Sequence, residues 1–377
     1  MFRKIKELVT SYKLSKLNFR LLVYVFALTT LGVFAIGSAT EGQDYQMRQI
    51  VGVVVALIGL VVLTLFSYKF VFKFYWPLYF VAIGLLLLVL ILGQTKLGAT
   101  RWIDLGFVQF QPSEVAKLFL IIFVVMFIQK HYETLDTPKT LGLVNLFALI
   151  ILFLIFREPD LSSTIVLFVT FCAIMFLSNM SGKIIAAIAI IAVPIVLVFG
   201  FFAVNPNSGI LQEYQYNRIV GFFQEDNKEA KEIRYQQENS LLAIGSGGLK
   251  GKGIENENAT SVKNGKFLSE AHTDFIFTII GEELGFFGAA AVIILLLLVV
   301  IECIIVGSRA PDISSRLFCY GFGVLIAIQS FINISVATML LPNTGVTLPF
   351  VSYGPTSLLS LFCGVGIVLN IGLQRQK

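Results

Sequence analysis

Three ionisable residues, Glu270, His272 and Asp274, alternate with other residues just before a long apolar segment. Asp274 is followed at once by a Phe-Ile-Phe run, so its carboxylate is expected where a membrane helix leaves water. A carboxylate that loses hydration becomes a stronger base, and general base catalysis near neutral pH requires such a group. The same residues also fit a structural alternative, because Thr273 or Asp274 could cap the helix that follows.

A second pair of charges, Glu114 and Lys117, lies within another apolar segment. On a helix, residues three positions apart share one face. Pro112 suits a first helical turn, and Ser113 could cap it. A charge at membrane depth is costly and indicates function. The pair could be an internal ion pair that holds two helices together, or one polar wall of an outward-facing cavity, and the two roles are compatible.

Other polar candidates lie between the apolar segments. Arg101 precedes a tryptophan in an irregular, interface-like stretch, and its planar guanidinium suits a phosphate. Asp160, which is followed by serines and a threonine, predicts a helix N-cap, although a role in a site stays open. The glycine-rich stretch 243–253 lacks the spacing of a P-loop and predicts a turn. Its Lys250 and Lys252 could still contact a diphosphate beside backbone nests.

The composition limits what kind of protein carries these residues. The 377-residue chain is 56% hydrophobic and 14% charged, whereas soluble domains are roughly 45–50% apolar and about 25% charged. This excludes a soluble enzyme, a DNA-binding module and a disordered scaffold, and a net charge of +5 gives no indication of a nucleic-acid partner. The four cysteines lie in apolar runs without metal-ligand spacing, which predicts neither disulfides nor zinc. GxSxG and HExxH motifs are also absent.

The hydropathy pattern predicts an all-α polytopic membrane protein, with residues 1–377 forming a single integral membrane domain. Since a crossing helix needs roughly 20 apolar residues, we predict about ten spans: 20–38, 48–66, 72–93, 113–129, 141–157, 161–179, 184–204, 283–306, 317–340 and 353–373. The eighth span could begin nearer Asp274, with a break around Gly281. The polar segment 205–272 is expected to be a large extracytoplasmic loop between the seventh and eighth helices.

The distribution of Lys and Arg predicts the orientation of these spans. With the N-terminus in the cytoplasm, the short outer segments contain only Arg48, Lys96, Arg101 and Arg157, whereas the inner segments are rich in Lys and Arg. Both termini are therefore expected in the cytoplasm, and the first apolar segment is expected to remain as an uncleaved helix. The inner halves of the spans carry little charge beyond Lys73 and Glu302, which we expect to snorkel.

Several stretches, in this order, resemble the SEDS family of bacterial shape, elongation, division and sporulation proteins. The resemblance runs from about Tyr45 to Gln374. It is carried by Arg48-Gln49, Arg101-Trp102, Phe110–Glu114 with Lys117, Pro159–Leu161, Gln215–Arg218, Gln237–Ser240 with Ala243–Gly253, Glu270–Asp274, Gly281–Phe286 and Thr344–Gly354. The chain length and short ends are more like those of the elongation members than those of the division members.

The resemblance implies ten helices in the bacterial cytoplasmic membrane. It also implies a peptidoglycan glycosyltransferase that adds lipid II to a growing glycan strand, in complex with a class B penicillin-binding protein whose transpeptidase cross-links the product. The family's essential aspartate corresponds to Asp274, and its functionally sensitive Arg, Glu and Lys positions correspond to Arg101, Glu114 and Lys117. Two departures from the usual motifs are Pro355, in place of a glycine, and Glu158, in place of a glutamine. A proline cannot donate a backbone hydrogen bond, so that turn must differ or not need the donor.

For such a reaction, Asp274 is the candidate base for the acceptor hydroxyl. The cationic candidates for stabilising the departing diphosphate are Lys117, Arg101, Arg218 and Lys250. The predicted substrate-binding set is completed by Arg48, Glu114, Glu270 and His272. A divalent cation, Mg²⁺ or Mn²⁺, that bridges the diphosphate is compatible with this chemistry.

Two alternatives to the enzyme remain open from the sequence. A lipid II flippase would need a polar path across the whole bilayer, whereas the intramembrane charges lie toward the predicted outer side, which favours surface catalysis. A non-catalytic scaffold that recruits a penicillin-binding protein would not need the charges of Asp274, Glu114 and Lys117.

Overall fold

A computed structural model of the protein describes residues 17–40, 44–96, 99–104, 106, 109–182, 211, 213–223, 228–253, 268 and 271–374. Over these residues the helices are α1 Phe19–Ala39, α2 Tyr45–Leu65, α3 Tyr68–Lys73, α4 Tyr75–Leu92, α5 Pro112–Lys130, α6 Pro138–Arg157, α7 Leu161–Leu177, α8 Glu213–Phe223, α9 Lys228–Ser246, α10 Ile276–Ser308, α11 Ile313–Ala337 and α12 Pro355–Leu373. A small antiparallel sheet has the order β1 Gln94–Lys96, β2 Ala99–Asp104 and β3 Gln109–Phe110.

The apolar helices confirm the predicted fold class. In the described part of the chain, eight helices are long and apolar enough to cross a membrane, and α7 is a shorter apolar helix. Together they match nine of the predicted spans. The seventh predicted span, 184–204, lies outside the described residues, so the count of ten stays a prediction. The described elements before and after it lie at opposite ends of the bundle, because Ser181 contacts Asp136 whereas Arg218 lies beside Gly345.

The central helices of the bundle are more deeply buried than the outer helices. Over the most apolar 18 residues of each helix, 83% of α12 and 78% of α5 are buried, whereas only 28% of α2 and of α4 are buried. The outer helices expose large apolar side chains such as Val54, Ile58, Phe80 and Ile91. An apolar surface of this extent needs lipid as its solvent. The central helices, which begin at one end of the bundle, therefore position polar residues inside a lipid-facing shell.

Helix α10 is interrupted at Gly285, whose backbone has φ 65° and ψ −160°. The break leaves backbone groups that need partners at membrane depth, and the glycine-rich stretch 243–253 supplies them. Four hydrogen bonds join the two segments: Lys252 N to Glu282 O (2.9 Å), Gly253 N to Glu283 O (3.0 Å), Phe286 N to Gly248 O (2.8 Å) and Phe287 N to Leu249 O (3.3 Å). The stretch thus contains the predicted turn, which packs against α10. The helix begins at Ile276, near the alternative start that we considered, and not at residue 283.

We predict that Gly247→Ala destabilises this junction. A Cβ at Gly247 would lie 2.1 Å from the carbonyl oxygen of Gly281, so backbone must move, at a cost of about 1–3 kcal/mol. The matched control is Gly245→Ala, where a Cβ would meet nothing within 4 Å and the exchange should be neutral or stabilising by up to about 1 kcal/mol. Melting temperatures in detergent test the pair, and equal values for the two variants would contradict the packing argument.

Candidate active site

A cavity of about 560 Å³ lies where α2, α5, α7 and α12 begin. Seven predicted site residues line it: Arg48, Arg101, Glu114, Lys117, Arg218, His272 and Asp274. The structure does not bring Lys250 to this cavity. That lysine is exposed, and Lys252 beside it pairs with Glu282 at 2.7 Å. Glu270 lies outside the described residues, so its predicted role is not tested. Residues far apart in the sequence therefore converge on one polar space inside an apolar bundle.

Asp274 lies in the turn immediately before α10, where its backbone is fixed from two sides. The Asn333 amide donates to the Asp274 carbonyl oxygen at 2.9 Å, and the Ser352 hydroxyl donates to the Thr273 carbonyl oxygen at 2.6 Å. The N-cap of α10 is Phe275, so neither Thr273 nor Asp274 holds the cap position and that structural alternative is wrong. The two hydrogen bonds hold this turn in place, and the Asp274 side chain lines the cavity.

Gly345 leaves room for the Arg218 guanidinium beside the Asp274 carboxylate. A Cβ at Gly345 would lie 3.3 Å from Oδ2 of Asp274 and 2.7 Å from Nη1 of Arg218, so both charged groups adjoin the same residue. Gly345 has φ 75°, a conformation that L side chains rarely adopt. Glycine is thus required here both for its backbone conformation and for space. The arrangement places a base and a guanidinium on one part of the cavity wall.

Glu114 and Lys117 form an ion pair within α5, and the structure also places the pair in a cavity wall. The Lys117 ammonium lies 2.9 Å from Glu114 Oε1 and 3.3 Å from Gln329 Oε1, so it links α5 to α11. Both charged residues are buried from bulk water, and both line the cavity. Of the three N–H donors of the lysine, two have protein acceptors. Ser113 does not cap α5, whose N-cap is Gln111, but Pro112 occupies the first turn as predicted.

Arg101 is held against the connection between α6 and α7. Its Nη2 donates to the carbonyl oxygen of Pro159, and its Nη1 lies 3.8 Å from Asp160 Oδ1. Asp160 is the N-cap of α7, as predicted, and accepts from the Ser163 amide at 3.0 Å. Burial alone would raise the pKa of Asp160, but the Arg101 guanidinium and hydrogen bonds from Ser163 hold it below its ordinary value. The cap therefore stays ionised and orients a cavity cation.

An aromatic group forms another part of the wall. The rings of Tyr45 and His272 lie 4.5 Å apart, and the Tyr353 ring lies 5.0 Å from the first and 5.5 Å from the second. Burial lowers the pKa of His272, although the nearby Asp274 charge opposes this. His272 is therefore neutral near pH 7, and the positive charges of the cavity come from its Arg and Lys residues.

Sequence reasoning missed Gln329 and Gly345 in this site. Gln329 is almost fully buried in the apolar helix α11, where its amide donates to the Thr347 carbonyl oxygen at 3.1 Å. An uncompensated polar residue in a membrane span was the signal for Gln329.

The departure at Pro355 is explained by its position in the first turn of α12, where a missing N–H has no helical partner to lose.

The described side chains could bind a divalent cation only if a substrate supplied most of the ligand atoms. Among the described residues, no group of three or more His, Cys, Asp or Glu side chains could hold a metal ion. Mg²⁺ bound with a diphosphate commonly uses one or two carboxylates plus phosphate oxygens. Three described carboxylates line the cavity, those of Asp104, Glu114 and Asp274, and Glu114 is paired with Lys117. Most ligands of a cation here would thus come from the substrate.

Comparison with known proteins identifies relatives across nearly the whole chain. Residues 16–377 match the FtsW/RodA/SpoVE family, described as cell cycle protein. The chain is 31% identical over 359 residues to peptidoglycan glycosyltransferase MrdB of Escherichia coli K12, which covers 94% of this chain and 93% of that protein. It is 34% identical over 304 residues to the probable peptidoglycan glycosyltransferase FtsW of Tolumonas auensis, covering 78% of this chain and 74% of that protein.

Solved structures share the fold. A chain described under "Structural coordination of polymerization and crosslinking by a peptidoglycan synthase complex" matches with a TM-score of 0.78 and 26% identity, covering 95% of this chain and 98% of that one. The rod shape determining protein RodA of Thermus thermophilus matches with a TM-score of 0.68 and 27% identity, covering 97% of this chain and 98% of that one.

Proposed function

This chain belongs to the FtsW/RodA/SpoVE family of cell cycle proteins, and we propose that it polymerises lipid II in the cavity described above, with Asp274 as general base. The family confirms the resemblance found in the sequence. The protein is a multi-pass membrane protein, and its activity is that of a peptidoglycan glycosyltransferase, as its relatives are named. The single observation that carries the proposed site is that Asp274 shares one cavity with four cationic side chains.

The geometry supports a direct displacement. Asp274 would take the proton from the acceptor hydroxyl of one sugar, and that oxygen would attack the anomeric carbon of the other. The bond to the diphosphate breaks as the new glycosidic bond forms, so an α-linked donor gives a β-linked product. The diphosphate leaves with its added negative charge, which Arg101, Lys117, Arg218 and Arg48 are positioned to stabilise. These fixed charges act strongly because the surrounding helices exclude water.

The distribution of Lys and Arg supports one orientation of the protein in the membrane. We place the cavity at the outer face of the cytoplasmic membrane, the segment 205–272 in an extracytoplasmic loop, and both termini in the cytoplasm, as the distribution of Lys and Arg indicates. The lipid chains of lipid II would lie along the apolar outer helices. A class B penicillin-binding protein is the proposed partner, and the likeness to a chain of a peptidoglycan synthase complex supports it.

A flippase fits the described residues less well. The buried charges that line the cavity lie at one end of the bundle. Toward the other end, Glu302 is buried and pairs with Arg20 at 3.0 Å, so the prediction that it snorkels is wrong. Asn18 also donates to its carboxylate at 2.7 Å. A path for a diphosphate would need polar groups that continue between the two ends, and the described residues that line the cavity do not supply them.

The test uses the full chain with its partner in vesicles that contain lipid II. We expect glycan strands to form, detectable by gel electrophoresis, at a rate that exceeds the rate without protein by at least about 10⁶-fold. Transfer of lipid II across sealed vesicles without strand formation would favour the flippase. Normal assembly with the partner, with neither activity, would favour the scaffold.

A further inference from the structure

Glu158 is a buried acid that the reaction described above does not use. It follows the last residue of α6 and is 0% exposed. Neither of its carboxylate oxygens has a hydrogen-bond partner among the described residues. A buried charge without such partners is strongly disfavoured, and an unsatisfied buried group in a native protein requires an explanation.

The neighbour of this acid is the cavity cation Arg101. Its Nη2 and Nη1 are occupied by Pro159 and Asp160, the two residues that follow Glu158. Its Nε is buried and has no acceptor in the part of the chain that the structure describes. A buried donor without an acceptor and a buried acid without a donor therefore lie at the same connection between α6 and α7, close enough for the charge of Arg101 to act on Glu158.

Burial and the neighbouring Asp160 charge keep Glu158 protonated at neutral pH. Burial, followed by repulsion from Asp160, raises its pKa to about 9, although Arg101 opposes the change. Arg101 comes from β2 and Asp160 from the connection between helices, and Lys117 of α5 acts on Asp160. One ionised carboxylate, that of Asp160, thus faces the guanidinium. A protonated glutamic acid is also close in shape to the glutamine that the family usually has at this position.

We propose that Glu158 is a positioning residue, which leaves Arg101 directed at the cavity while uncharged and draws it away from the substrate diphosphate when ionised. An ionised Glu158 would accept from Nε of Arg101 in a bidentate or single charge-assisted hydrogen bond. Arg101 would then face two carboxylates and lose much of its field at the leaving group. This inference rests on the proposed glycosyltransferase activity.

The test is the pH dependence of lipid II polymerisation by the full chain with its partner transpeptidase. The proton on Glu158 is present below its pKa and is lost above it. At pH 9.5 only about a quarter of the molecules would retain this proton, so the rate should fall by about fourfold between pH 7 and pH 9.5 on this account. Glu158→Gln should remove this step, so the ratio of variant to wild-type rates should rise by about fourfold. Glu133→Gln, an exposed acid in the 3₁₀ turn Tyr132–Thr134, is the matched control and should leave the ratio constant.

The outcomes separate this inference from the proposed function. Wild-type protein that makes no strands at pH 7 would defeat the activity itself. Active wild-type protein with a constant ratio for Glu158→Gln would overturn the positioning role, even if the melting temperature changed. If the glutamine variant does not fold, Glu158→Met has a similar volume and no ionisable group, and it must show the same loss of the alkaline step.

Discussion

Asp274→Asn is expected to lower the rate of lipid II polymerisation by about 10²–10⁴-fold, the usual contribution of a positioned general base. Asparagine nearly preserves the shape of the side chain but cannot take a proton from the acceptor hydroxyl. The described contacts that fix this turn are made by backbone oxygens of Asp274 and Thr273. These backbone contacts survive the exchange, so we expect the variant to fold and to bind the partner.

The control for this variant is Asp136→Asn. Asp136 is exposed, lies away from the cavity and accepts from the Ser181 amide at 3.3 Å. It should keep the wild-type rate in a gel assay of strand length and amount. Full polymerisation by the Asp274 variant would show that another group takes the proton, and the assignment of the base would then be wrong. An Asp274 variant that loses its fold would be revealed by a fall in melting temperature together with activity.

The sequence predicted the membrane helices and several helix starts because these signals are local. Apolar runs of sufficient length identify spans without knowledge of their neighbours. Asp160 with the serines that follow it, and Pro112 in a first turn, likewise depend on a few adjacent residues. The charged candidates were found for a related reason, since a charge within or beside an apolar run is conspicuous in the sequence alone.

The sequence could not predict how distant segments meet. The break in α10 occurs at Gly285 and not near Gly281, because the amides and carbonyls freed there pair with residues of the glycine-rich stretch 243–253. Lys250 was placed with the diphosphate because of its glycine-rich setting, but the structure uses those glycines for close backbone packing. Glu302 was expected at the interface, but its partners come from the start of α1.

Lys117→Met is expected to destabilise the protein by about 3–5 kcal/mol, because it leaves the buried Glu114 carboxylate without its counter-charge. Lys117 also donates to Gln329, so the variant loosens the contact between α5 and α11. Loss of strand formation by this variant alone would not distinguish a structural ion pair from a cation that stabilises the diphosphate. The melting temperature in detergent measures the first effect.

The double variant Glu114→Gln with Lys117→Met separates the two roles. Replacing both members of a buried pair by neutral groups is often neutral or stabilising, so the double variant should recover most of the wild-type melting temperature. We expect it to remain impaired in polymerisation by about 10²-fold, the effect of removing one electrostatic stabiliser of a leaving or developing charge. Lys130→Met on the same helix, at the far end of α5 from the cavity, is the matched control. If the double variant recovered activity together with stability, Lys117 would act only through the fold, and the field at the diphosphate would come from the arginines of the cavity.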